Sequence, residues 1–511
     1  MKTLEKIEKK SETWFLLIIT FIFFLLRLPS LIEPLWYGDE AIYELIGIAL
    51  NKGRLLYAQI WDNKPPLLYI IYALGRGDQF SVRIFSLCFG VLSVISFYYL
   101  SKKLFYSNKI STLTTCIYVF LLATPFIEGN IGNAENFMLL PIITAGLLVY
   151  KAAEMTKIIH KPSSSYKILN TKYLILFIAG FLLSVAFLFK IVALFDFAAL
   201  FVYLFTTLSP QNLSLRHHLK AYKNLLKDFF TFTLGFFLPF LITVMYFISQ
   251  GALLDFIHAT FFGNIGYINY ANKLIIPQGF LILKLFLLLS ACGIIFWKRK
   301  IIAPQVTFIF LWFSFSLFSA VFSGRPWTHY LLVLAPSASL MIGLLFDSKV
   351  KKLRISAFTL LIILIYVSTT FFKINIRSFG RVWTYYQNFF LFVSSNKSLE
   401  SYQEFFDRQV TRDYQIAEFI THKTTSSDDI FVWGNDPQIY VLSGKMPPGK
   451  YIVEYHISQN QNAMKETVED IKRAKPKYII SLPEVRSFPF DTLGYINKFN
   501  LKGASFYEKT F

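Results

Sequence analysis

The chain has 511 residues, of which 55% are hydrophobic, 18% aromatic and only 16% charged. Soluble domains carry about 25% charged residues, so this composition excludes a chain that lies wholly in water. The formal charge of +20 does not point to nucleic acid: the basic residues cluster between apolar runs, where they set topology and favour anionic lipid headgroups.

Taken from the N-terminus, Lys2, Lys6, Lys9 and Lys10 precede an apolar run that no small-residue cleavage site follows, which reads as a retained first helix. Runs of about 20 apolar residues, enough to span a bilayer as helix, then recur as far as Phe372. About eleven spans are expected, at roughly 14–32, 82–100, 111–127, 137–150, 173–189, 191–208, 229–249, 278–297, 302–322, 330–346 and 355–372. Cations alternate between the loops. One set of loops holds Lys102, Lys103 and Lys109; Lys151, Lys157, Lys161, Lys167 and Lys172; Arg216, Lys220, Lys223 and Lys227; Lys298, Arg299 and Lys300; and Lys349, Lys351, Lys352 and Arg354. The intervening loops are poor in cations. By the positive-inside rule the N-terminus is cytoplasmic and the loop at about 33–81 faces outward. An odd number of spans puts the chain after Lys373 outside as well.

That first outer loop carries the most informative residues. Trp36-Tyr37-Gly38-Asp39-Glu40-Ala41-Ile42-Tyr43 opens a helix running towards Gly53, and Trp61-Asp62-Asn63-Lys64-Pro65-Pro66-Leu67-Leu68-Tyr69 follows. Asp39 reads as an N-cap and Glu40 as a first-turn acid, which leaves general-base work open to either. Pro65-Pro66 fixes an extended entry into the next helix and presents Lys64, with Asp62 a candidate partner. A lysine binds phosphate as a point charge. Arg27 at the outer end of the first span either snorkels or serves a site, and Arg83 opens the second span on the same side. Glu135 stands at the mouth of a helix, Lys190 falls between two spans with the same two readings as Arg27, and Asp196 is expected in an ion pair. A second outward loop, Ser323-Gly324-Arg325-Pro326-Trp327-Thr328-His329-Tyr330, offers Arg325 to fork onto a phosphate and His329 to hydrogen-bond an acceptor or phosphate.

The tail from 373 to 511 changes character. Residues 429–434 and 477–482 read as short buried strands and 463–474 as an amphipathic helix, so a small α/β domain of about 130 residues is expected there. Motifs for cytosolic nucleotide donors and for common hydrolases are missing: there is no Gly-rich P-loop, G-x-S-x-G, H-E-x-x-H or Asp-x-Asp. His160, His217, His218, His258, His422 and His456 show no ligand spacing, so no histidine-built metal site is expected. Cys88, Cys116 and Cys292 fall inside apolar runs and indicate neither disulfides nor zinc.

At these residues the chain resembles the membrane-embedded glycosyltransferases of the GT-C class. Within that class it looks like the group of protein O-mannosyltransferases and aminoarabinose transferases, glycosyltransferase families 39 and 83. The resemblance rests on Arg27-Leu28-Pro29, Asp39-Glu40-x-x-Tyr43, Lys64-Pro65-Pro66-Leu67-Leu68-Tyr69, Arg83, Ala134-Glu135, Phe189-Lys190, Gly324-Arg325 with His329-Tyr330, and Val432-Trp433-Gly434 in the tail. It covers nearly the whole chain. It implies a polytopic α-helical, GT-C-like catalytic domain at 1–372 and an extracytoplasmic α/β domain at 373–511. It also implies a polyprenyl-phosphate sugar donor and inverting transfer, with Asp39 as catalytic carboxylate and Glu40 beside it. Lys64, Arg325, Lys190, Arg83 and Arg27 are the expected donor-phosphate residues; Glu135, His329, Tyr330 and Tyr43 are expected at the acceptor or in support. A monophosphate leaving group can be served by side-chain cations, so the scheme requires no metal or other cofactor. The acceptor would be a glycan, lipid or protein hydroxyl, and membrane lipids are the other partner. Asn63 departs from the Glu that aminoarabinose transferases usually carry before Lys-Pro-Pro, which favours a hexosyl or generic donor sugar. Two rivals remain: a lipid-linked saccharide flippase, which would line a path through both leaflets with charge, and a polysaccharide polymerase or ligase using a diphosphate-linked glycan.

Overall fold

The computed structural model describes residues 2–159, 166–209, 215–264, 280–460, 462–483, 485 and 487–509. His160, Lys161 and the opening residues of the span expected at 278–297 lie outside the described residues. Nine helices among the described residues are long and apolar enough to cross a membrane: Lys10–Leu31, Gln79–Phe105, Ala134–Thr156, Leu169–Phe189, Ile191–Leu208, Tyr222–Ser249, Pro304–Phe322, Thr328–Phe346 and Ser348–Thr370. Each coincides with an expected span. Asn108–Ala123 and Leu281–Trp297, apolar but only 16 and 17 residues long, occupy two further expected positions. The protein is a multi-pass membrane protein. Its chain falls into two compact units that interleave along the sequence: Met1–Leu28, Ser86–Tyr246 and Ile268–Val382 form one, and Pro29–Phe85, Phe247–Tyr267 and Trp383–Phe511 the other.

The first unit is a helical bundle. Ala134–Thr156, Pro304–Phe322 and Thr328–Phe346 are its most buried spans, whereas Ser348–Thr370 is almost entirely on the outside. In lipid, where apolar burial from water does not drive helices together, close packing and interhelical hydrogen bonds do. Both are visible. Ser93 meets the Tyr118 hydroxyl at 3.0 Å, Ser96 meets Thr144 at 3.1 Å and Ser101 meets Thr114 at 2.7 Å. Lys172, counted in the sequence among loop cations, is instead buried against Asp228 at 2.6 Å.

The helices Tyr166–Phe189 and Leu215–Ser249 touch backbone to backbone. A Cβ on Gly180 would stand 2.0 Å from the Phe232 carbonyl oxygen, and one on Gly235 2.1 Å from that of Phe177. Gly235→Val therefore has no room without separating the helices and is expected to destabilise the fold by about 1–3 kcal/mol. The measurement is the unfolding midpoint in detergent, with Gly293→Val as control because nothing lies within 4 Å of a Cβ there. Equal shifts in the two variants would show that close approach is not what Gly235 supplies.

The second unit joins the loop and short helices of Pro29–Phe85 to the C-terminal domain. The domain holds a four-stranded sheet of β1 (Ile430–Trp433), β2 (Tyr478–Ser481), β3 (Tyr495–Leu501) and β4 (Ala504–Lys509), in the order β1-β2-β4-β3. β1 and β2 pair in parallel, Ile430 opposite Tyr478, through a crossover containing the helix Ala463–Ala474. The other pairings are antiparallel. The two expected strands and the expected helix are all present. The β3–β4 hairpin was not expected, since Asn497, Lys498 and Asn500 dilute its apolar pattern. Its turn places Lys502 and Gly503 at φ 51° and 85°, the mirror-image turn that matches strand twist. Phe431, Trp433, Ile457, Ile471, Ile479 and Phe488 pack into its core. This loop is tied to the domain through backbone carbonyls: the Trp61 N–H donates to the Lys450 carbonyl at 2.9 Å, the Arg54 guanidinium to that of Pro447 at 3.1 Å, and the Gln438 amide to that of Trp36 at 2.9 Å.

Candidate active site

The helix Gly38–Asn51 begins two residues earlier than the sequence suggests. Tyr37 is its N-cap and makes no side-chain cap bond, so Asp39 is a first-turn residue and not the cap. Its carboxylate, half-buried, accepts the Tyr43 hydroxyl one turn on at 3.2 Å. The helix N-terminus still favours an anion at this place. Glu40, the next residue round the helix, is buried and forked onto Arg83, Nε to Oε1 at 3.2 Å and Nη2 to Oε2 at 2.5 Å. Arg83 also pairs with Glu33 at 3.1 Å and donates to the Ser30 carbonyl. Glu33 in turn accepts from the Trp36 indole at 2.9 Å and from the Tyr385 hydroxyl. Two buried carboxylates thus share one guanidinium, and charge-assisted bonds satisfy all three. One turn beyond Glu40, burial and then the Glu40 charge push the Glu44 carboxyl well above the usual carboxylate range.

The second half of the loop is built around Asp62. Pro65 is extended (φ −63°, ψ 161°) and Pro66 opens the helix Pro66–Leu74, as the sequence implies. A Cβ on Gly47 would stand 2.7 Å from the Tyr72 backbone, so Gly47 lets this helix and Gly38–Asn51 lie in contact. Asp62 is buried and accepts the Tyr69 hydroxyl at 2.8 Å and the Asn63 N–H at 2.7 Å; Lys64 and His456 Nε2 each stand 3.5 Å away. Burial alone would raise its pKa. Lys64, His456 and the Tyr69 hydroxyl outweigh burial and hold the carboxyl below its ordinary range. The Lys64 ammonium also lies 5.0 Å from the centre of the Tyr43 ring. Tyr43 therefore links the two halves of the motif: its hydroxyl holds Asp39 and its ring face meets Lys64.

The remaining predicted residues belong to the first unit. Glu135, buried in the first turn of Ala134–Ile159, is ion-paired with Lys190, whose ammonium lies 4.5 Å from the centre of the Tyr330 ring. His329 Nδ1 is 3.0 Å from Glu128, which also accepts from Thr328. Arg325 is half-buried and follows Gly324, which takes φ 70°. Arg27 is fully buried, donating to the Gly129 carbonyl and to Ser86 Oγ at 3.1 Å. The ion pair expected for Asp196 is not what its surroundings show: the Trp312 indole donates to it at 2.8 Å.

Sequence reasoning missed Glu33, Glu128, Tyr385 and the pairing of His456. Glu33 lies three residues before Trp36 and Glu128 beside Gly129, in loops where a lone acid carries no pattern. Tyr385 and His456 lie more than 300 residues from their partners, beyond the reach of any local spacing.

No protein-family model and no curated protein sequence matches the chain. Among solved structures it is similar to ArnT from Cupriavidus metallidurans bound to undecaprenyl phosphate, with TM-score 0.53 and 14% identity over 97% of this chain and 98% of that one. Against the apo state of ArnT the TM-score is 0.50, with 13% identity over the same shares. An archaeal oligosaccharyltransferase, AglB from Archaeoglobus fulgidus, aligns at 0.47 with 10% identity over 93% of this chain and 69% of that one. The chain has the GT-C fold that the resemblance of its motifs implied.

Proposed function

We propose that the protein is an inverting glycosyltransferase that moves a sugar from a polyprenyl-phosphate donor to an acceptor hydroxyl on the outer face of the membrane. The observation that carries this reading is the Asp39–Tyr43–Lys64 linkage: an anion and a cation held by one tyrosine in the first outer loop. The fold shared with ArnT, a protein solved with undecaprenyl phosphate bound, supports the class of donor. Charge alternation among the loops supports the outward face.

In this scheme the acceptor hydroxyl attacks the anomeric carbon from the side opposite the phosphate. The new carbon–oxygen bond forms as the bond to the phosphate oxygen breaks, the hydroxyl proton passes to Asp39, and polyprenyl phosphate leaves with the bonding pair. Lys64 stabilises the charge growing on that phosphate; its ammonium is held in place by Asp62 and the Tyr43 ring and so needs little reorganisation. Lys190 and Arg325 are further cations proposed for the phosphate, with Glu135 and Tyr330 holding Lys190, and His329 is proposed for the acceptor side. Glu40, Arg83 and Arg27, buried and already engaged by protein groups, act by positioning the loop and its neighbours. The outward placement expected for Asp39, Lys64 and Arg325 favours this reading over a flippase.

The test is to incubate purified protein with a panel of radiolabelled polyprenyl-phosphate sugars and membrane extract and to identify the labelled product. Lys64→Ala should weaken donor binding or turnover by about tenfold or more, while Lys52→Ala, on the same loop outside the motif, should not. Equal behaviour of the two variants in a donor-binding assay would remove Lys64 from the site. Failure of every lipid-linked sugar to label a product would overturn the donor class.

A further inference from the structure

The helix Ile376–Val393 turns an aromatic stripe away from the protein. Phe379, Trp383, Phe390 and Val393 recur at helical spacing on one stripe and are 55%, 73%, 64% and 58% exposed, Phe379 also touching the Phe126 ring with centroids 4.6 Å apart. The side turned to the protein is mixed: Ser378, Tyr385 and Asn388 are buried, and Phe392 stacks on Tyr402 with ring centroids 4.1 Å apart. Tyr385 donates to Glu33, and the Asn388 amide to the Tyr402 carbonyl at 3.4 Å. A helix packed for water would bury such a stripe. This helix is not among the nine apolar enough to cross a membrane, yet only residues 371–375 separate it from the span Ser348–Thr370, so it starts near the membrane surface. From Phe371 to Leu399 the chain holds Lys373, Arg377, Arg381 and Lys397 and not one carboxylate.

We infer that Ile376–Val393 lies in the plane of the bilayer interface on anionic phospholipid, its aromatic stripe at the headgroup–acyl boundary and the surplus of cations around it supplying the attraction to anionic headgroups. Each observation fits that partner. Large apolar side chains with a tryptophan among them gain from the boundary, cations flanking them gain from anionic headgroups, and proximity to a span supplies the surface. A second copy of the chain would match the apolar stripe but leaves the uninterrupted run of cations facing its like. The helix then has two lipid-linked consequences in one element: its outer stripe rests on the membrane while Tyr385, on the opposite side, holds Glu33 of the Arg83 cluster.

The experiment uses the full-length protein with Cys88, Cys116 and Cys292 replaced, reconstituted in nanodiscs of phosphatidylcholine with or without phosphatidylglycerol. Nitroxides are attached at Phe379→Cys, Trp383→Cys and Phe390→Cys, and at Lys498→Cys on exposed β3 as the aqueous reference. Collision with oxygen and with a water-soluble nickel chelate reports the surroundings of each label without any need for activity, so this outcome is independent of the proposed reaction. We expect the three helix labels to favour oxygen over nickel several-fold relative to Lys498, more strongly with phosphatidylglycerol present, and that increment to vanish in Arg377→Gln/Arg381→Gln. Nickel access equal to that at Lys498 would overturn the membrane contact. Shielding from both reagents would mean a protein partner, and identical values in the two lipid mixtures would overturn the anionic headgroup. As a check that needs no label, brominated lipid should quench the fluorescence of the wild-type protein more than that of Trp383→Tyr; equal quenching would count against the contact as well.

Discussion

Asp39→Asn is expected to give a folded protein whose sugar transfer has fallen by about 10² or more. Asparagine keeps the size of the side chain and an oxygen for the Tyr43 hydroxyl at 3.2 Å, and the helix start does not rest on residue 39, because Tyr37 is the N-cap. What it loses is the ability to take a proton from the attacking hydroxyl. Glu40→Gln makes the informative contrast. Glu40 is enclosed and paired with Arg83, so neutralising it should disturb stability more than turnover per folded molecule. The measurements are product formation from a labelled donor and the unfolding midpoint of each variant in the same detergent. Turnover near wild type in Asp39→Asn would remove Asp39 as the base. A midpoint loss matching the loss of activity would make its role structural.

The membrane spans were legible because the bilayer imposes length and apolarity on each helix separately, information that sits in about 20 consecutive residues. The strands β1 and β2 and the helix Ala463–Ala474 were legible for a like reason: apolar runs and helical periodicity bounded by Gly and Pro. The hairpin β3–β4 lay below that signal, its edge strand facing water with Asn497, Lys498 and Asn500. For the candidate site, the sequence singled out Asp39, Tyr43 and Lys64 as expectations and suggested the Asp62–Lys64 pair, which the structure shows. It could not show that Tyr43 joins Asp39 to Lys64, since that depends on how two short helices pack across Gly47. Nor could it distinguish Arg83 as a buried partner of Glu33 and Glu40 from Arg83 as a phosphate ligand. A cation at a helix end looks the same in both cases until its partners are known.

That distinction sets the last expectation: Arg83→Met should cost about 3–5 kcal/mol of stability. Arg83 is enclosed with Glu40 forked onto it at 3.2 and 2.5 Å and Glu33 at 3.1 Å, and removing the guanidinium leaves two carboxylates facing each other without a cation. Each must then be protonated or drawn towards water, and the Trp36 and Tyr385 bonds to Glu33 cannot compensate a full charge. The cost belongs to the orphaned acids and not to the absence of an ion pair as such, so Arg83→Met/Glu33→Gln/Glu40→Gln should recover most of it. Unfolding midpoints of the single and triple variants in detergent decide the point. Donor binding by the folded fraction separates the two roles, since a phosphate ligand would lose donor affinity with its stability intact. A triple variant no more stable than Arg83→Met would show that the cluster contributes something beyond charge balance. An Arg83→Met midpoint equal to wild type would show that Glu33 and Glu40 do not depend on the guanidinium.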